Sequence, residues 1–213
     1  NAGRGESNSG GAITLTSGEG SATSSGNIEL ATPDSGTSGV SGFIQLSTGS
    51  ASSGNSGLFS ITTGASTGSG KGGDFSFTAG SGVSSSGADV TITAGLSSAD
   101  SQRGGNFEMT AGRGSGTTAG MGGGVTLTSG QGDGQSGGAM ELATGYGDAT
   151  SSGNLDISTA DAGTAGMSGS ITLSSGSASS GNSGAFTMST GAATSGKGGD
   201  IDLVVGAGTA GNN

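Results

Sequence analysis

Along the chain one short alternation keeps returning: an apolar residue, a polar one, a second apolar one, then hydroxyl or alanine residues and usually a glycine. It begins at Ile13, Ile28, Ile44, Phe59, Phe75, Val90, Phe107, Val125, Met140, Leu155, Ile171, Phe186 and Ile201, a nearly constant interval. Counting each motif from its first apolar residue as position 0 puts the second at +2. Alternation with period two over four or five residues is the mark of a strand, and Ile, Val and Phe at the apolar positions strengthen it. No apolar stripe of period 3.6 exists, and glycine recurs too often for a helix. The pattern predicts an all-β fold: a narrow parallel β-solenoid, or β-helix, of about thirteen coils of about 15–16 residues. Its coils would stack at roughly 4.7–4.8 Å and be held by a backbone ladder and by columns of like side chains.

The interval stretches between Val90 and Phe107 and again between Phe107 and Val125, which predicts longer loops at one edge of the coil. A longer period lies above the first. The segment from Ala22, ATSSGNIELAT, returns as ATSSGNLDIST from Ala149, and GSASSGNSG from Gly49 returns unchanged from Gly176. KGGDFSF from Lys71 returns as KGGDIDL from Lys197. The offset that carries Ala22 onto Ala149 shortens by one after Thr67, and eight coils make one super-repeat. The chain therefore reads as a single continuous solenoid over 1–213, with one super-repeat copy at about 10–136 and an incomplete second at 137–213. In so thin a coil the half opposite the strand has room only for small residues, so Ala51, Ala65, Ala178 and Ala192 are expected to face inward while glycines turn the corners.

Composition alone points elsewhere, since 52 of 213 residues are glycine and only 3% are aromatic, which is the profile of a disordered chain. Fixed apolar intervals argue against that, because a flexible linker has no reason to keep them. Cysteine and histidine are absent, which removes disulfides, thiol chemistry, imidazole bases and the usual zinc sets. No cofactor is expected. Fifteen acidic against five basic residues give a net charge of -10, which repels nucleic acid and anionic membranes. No apolar run reaches the roughly 18 residues of a membrane span. The chain starts at Asn1 without Met and neither end carries a recognisable cap, so a piece of a longer array is expected.

Few motifs carry chemistry. GSGKGG at 68–73 fits the dinucleotide-binding glycine pattern, but the strand-like DFSFT follows where a helix is needed, so a turn is expected. GAATSGK at 191–197 resembles a phosphate loop but has Gly198 where Ser or Thr must bind magnesium. Asp74, Asp89 and Asp200 stand singly, and QGDG at 131–134 is only faintly like a calcium turn, so the acids read as solubilising charges and no metal site is expected. The most distinctive candidate is a hydroxyl array at +1 and +3, made by Thr14, Thr16, Thr62, Thr78, Thr91, Thr93, Thr126 and Thr128. It resembles the flat threonine arrays of ice-binding solenoids, although Glu29, Glu108, Glu141, Asp156 and Asp202 interrupt it at +1.

Phrases such as GGDFSFTAG and GGNFEMTAG resemble the strand motifs of filamentous-haemagglutinin-type adhesins and of Gly/Ser/Thr-rich repeat proteins of microbial and algal surface layers. That resemblance implies a secreted, extended, adhesive or structural protein, and transfers no functional residue. Together these features predict a non-catalytic extracellular or cell-surface fibre or adhesin shaft whose partners are like segments, with surface glycans as a further partner class. An ice-binding or polysaccharide-binding solenoid is the alternative. A pectin-lyase-type enzyme fits worst, since those folds use larger coils and a charged cleft.

Overall fold

The structure, a computed structural model, describes residues 2–4, 9–116 and 119–208. The chain divides into two units, Asn1–Phe107 and Glu108–Asn213, the division falling inside the seventh motif. Among the described residues there is no helix and no β-strand, and the chain is mostly coil with one short bend in each connector. The expected all-β architecture is thus corrected: the described residues form no sheet, β-solenoid or β-helix. Nor do they form a core. None of the described residues is buried, and the solvent-accessible surface is 20794 Å². A compact folded chain of 19.4 kDa would expose about 8,500 Å². Ala51, Ala65, Ala178 and Ala192, expected to face inward, are exposed.

What order exists lies in the connectors, where the end of one motif meets the start of the next. Position +5 is glycine in every motif except two, and position −2 is glycine in all but one. In the unit Asn1–Phe107, the N–H at −2 donates to the carbonyl at +5 of the preceding motif in Gly26 to Gly18 (2.9 Å), Gly73 to Gly64 (2.9 Å), Ala88 to Gly80 (3.0 Å) and Gly105 to Gly95 (2.8 Å). In the unit Glu108–Asn213 the same bond joins Gly123 to Gly112 (2.8 Å), Gly138 to Gly130 (2.9 Å) and Gly153 to Gly145 (3.0 Å). Each is a small loop closed at its neck by one backbone hydrogen bond. The added length near 95–123 sits inside these loops, between an unchanged donor and an unchanged acceptor.

Five connectors close differently. In 33–42, 49–57, 160–169, 176–184 and 191–199 no backbone bond spans the neck; instead the glycine at −5 takes a positive φ. These are Gly39 (148°), Gly54 (95°), Gly166 (135°), Gly181 (111°) and Gly196 (152°). Here the side chain at +4 lies against the glycine at −2. A Cβ on Gly57 would stand 3.7 Å from the Thr48 Cβ, and one on Gly184 3.6 Å from the Ser175 Cβ. Where +5 is Pro33 or Ala160 instead of glycine, the hydroxyl at +4 makes the closure: Thr32 Oγ1 donates to the Gly42 carbonyl (3.1 Å) and Thr159 Oγ1 to that of Gly169 (3.2 Å).

The physical reason for necks in place of a ladder follows from the composition. A ladder requires every residue of every coil to be fixed, and glycine loses more conformational freedom than any other residue when ordered. Against that, each motif before Ile201 brings only two large apolar side chains. A neck fixes few residues, satisfies its own donor and acceptor, and leaves the remaining amides to water.

Candidate functional site

Large apolar side chains fall into two groups by exposure. Those at 0 and +2 of the motifs are half-exposed, from 47% at Ile201 to 76% at Ile13, with Leu203 the exception. Those elsewhere, among them Val40, Val83, Leu96, Met121 and Met167, run from 84% to 103%. The motif pairs are therefore set apart by local structure even without a strand. The least exposed described residues are not the large apolar ones: Ser17, Gly20, Ala79, Ser97, Ala111, Gly114, Ser129 and Gly147 all occupy +4 or +7, at the loop necks.

Position +7 shows why. An added Cβ on Gly82 would meet the Ser86 carbonyl oxygen at 2.5 Å and that of Ser85 at 2.6 Å, and one on Gly132 would meet the Gln135 and Ser136 oxygens at 2.6 Å. Gly20 and Gly147 face the Ser24 and Ser151 carbonyls in the same way. At these four positions the backbone crosses itself and a Cβ does not fit, whereas Ser66 and Ser97 hold +7 in connectors 64–73 and 95–105, which close through the same bond. These neck positions are the residues that strand periodicity misses. Part of their signal is in the sequence: glycine at both +5 and +7 marks connectors 18–26, 80–88, 112–123, 130–138 and 145–153, all closed through the backbone.

The eight threonines of the hydroxyl array, Thr14, Thr16, Thr62, Thr78, Thr91, Thr93, Thr126 and Thr128, are all exposed. No ladder among the described residues sets their spacing. Nearby, Thr110 Oγ1 lies 3.5 Å from Glu108 Oε1. The 68–73 glycine segment is a bend closed by the Gly73 to Gly64 bond, and no helix follows it. Lys71 is turned back to Asp74, with Nζ 2.6 Å from Oδ1, both side chains well exposed. Arg103 repeats the relation, its Nη2 donating to Asn106 Oδ1 at 3.3 Å. Lys71 and Arg103, both at −4, thus reach across two glycines to a partner at −1. In QGDG, Gln131 Nε2 donates to Asp133 Oδ1 at 3.0 Å. No group of three acidic residues converges on a point among the described residues.

Comparison with protein-family models, with curated proteins and with solved structures finds no match to this chain.

Proposed function

We propose that the chain is a structural, non-catalytic segment of an extracellular or cell-surface fibre or adhesin shaft, joined to like segments. The observation that supports this is repetition at the level of single bonds. The closure of Gly26 on Gly18 recurs in the second super-repeat copy as Gly153 on Gly145. The Thr32 to Gly42 bond recurs as Thr159 to Gly169, and the positive φ of Gly39 and Gly54 as those of Gly166 and Gly181. A catalytic site needs one place unlike the rest; this chain makes the same few local arrangements many times. Such a chain suits a role in which length and number matter more than any single site.

Electron microscopy of material isolated from its source without refolding, with antibody labelling of this segment, tests the proposal. Label along continuous filaments or a surface-attached layer is the expected result, and label only on discrete soluble particles contradicts it. A thermal-hysteresis assay on the segment is expected to show no activity, because an ice-binding plane needs its threonines held flat at fixed spacing.

A further inference from the structure

The half-exposed apolar pairs are the one feature that the local structure builds in every motif and leaves without a partner among the described residues. In the unit Asn1–Phe107 they run from Ile13 and Leu15 through Ile28 and Leu30, then on to Val90 and Ile92. Burying such a side chain from full exposure removes about 60–120 Å² of apolar surface from water, so at 49–76% exposed each still offers about 60 Å². The twelve together offer about 700 Å², close to the roughly 800 Å² per partner of a standard stable interface.

Spacing decides what can cover them. Successive pairs in this unit start at Ile13, Ile28, Ile44, Phe59, Phe75 and Val90, so the interval alternates between two values that differ by one. Each neck resets the chain at the same two positions. A partner that meets one pair meets the next only if it carries apolar groups at the same irregular interval. A second copy of this chain does so throughout. We propose that the pairs at 0 and +2 form a copy-to-copy interface, with motif matched to motif, and that this contact joins segments in the fibre. The inference rests on the fibre proposal for its setting but names a surface that the proposal does not. Charge works against the contact without forbidding it: copies of net charge -10 repel, and about 0.15 M salt screens that beyond roughly 8 Å.

The test is sedimentation velocity on the full chain at about 0.15 M salt. It compares the unaltered protein with a motif variant (Ile28→Ser, Leu30→Ser, Ile44→Ser, Leu46→Ser) and an off-motif control (Val40→Ser, Leu58→Ser, Val83→Ser, Leu96→Ser). All eight side chains are exposed, so neither variant opens a cavity. The expected result is association of the unaltered chain and the control, weakened at least tenfold in the motif variant. A third chain with two glycines inserted after Gly54 is expected to pair with itself better than with the unaltered chain, which tests the matched spacing. Equal association of motif variant and control overturns the interface, and so does a monomer at every concentration. Filaments labelled in source material together with either of those results leave the fibre proposal standing and this interface wrong. Absence of filaments with association lost only in the motif variant does the reverse.

Discussion

At the scale of single residues, the chain is governed by where glycine is required and where it is merely frequent. Gly82 sits where the backbone crosses itself, so Gly82→Ala is expected to open the neck that Ala88 closes on Gly80. Losing one exposed backbone hydrogen bond costs about 1 kcal/mol, and solvent-exchange NMR is expected to show the Ala88 amide exchanging roughly five-fold faster. At −2, by contrast, Ala88 already carries a Cβ, whereas one on Gly42 would press on Thr32 at 3.1 Å. Thr32 and Thr159 close their connectors through a hydroxyl on the carbonyl at −2, as Ser17 does on Gly26 beside the Gly26 to Gly18 backbone bond. Thr32→Val keeps the shape and removes the donor. It is expected to raise the mobility of 33–42 with a loss of about 0.5–1 kcal/mol, read from relaxation of the Gly39 and Gly42 amides, while 160–169 is unchanged. Gly54 and Gly181 lie at matching places in the duplicated GSASSGNSG and share a left-handed φ. The copied stretch is thus the recipe for one kind of connector, which residue type alone could not reveal.

At the scale of the connector, two designs occur in blocks, and loop length separates tolerance from constraint. The backbone-closed loops run from Gly18 to Gly26 at the short end and from Gly112 to Gly123 at the long end. Lengthening a closed loop from eight to eleven residues costs only about 0.3 kcal/mol in chain entropy, which is why the stretched intervals near Phe107 are accommodated without a new kind of neck. Inserting two residues between Ser84 and Ser85 is therefore expected to leave the Ala88 amide exchange within about two-fold of its original rate, whereas the same neck fails with Gly82→Ala. The slip of the super-repeat after Thr67 has a local consequence of the same kind. Connector 64–73 closes through its backbone, while its shorter counterpart 191–199 closes through a positive φ at Gly196. Much of this could be read from the sequence: the motifs, their intervals, the super-repeat offset and the existence of loops between 95 and 123. Strand pairing could not. Alternation at Ile28 and Leu30 says that two side chains share a side, but not whether neighbouring motifs exchange hydrogen bonds. That depends on whether glycine-rich connectors can be held still, and period two carries no information on it.

For the whole chain, the comparison of surface with mass shows the outcome, since 20794 Å² is far above the value for a compact fold. Periodicity with disorder-like composition had two physical resolutions: stack the coils and bury the apolar pairs, or close each connector on itself and leave the pairs exposed. The described residues take the second, which also explains why Thr14, Thr16 and the other hydroxyls form a pattern in sequence without forming a plane. The central claim is that order resides in the necks and not in a ladder along the motifs. Residue-resolved amide exchange on the monomeric chain at low concentration tests it most directly. Protection is expected at the amides of Gly26, Gly73, Ala88, Gly105, Gly123, Gly138 and Gly153, with fast exchange along the motifs from Ile13 to Ile201. Protection running through the motif amides, with no excess at those seven, would contradict it.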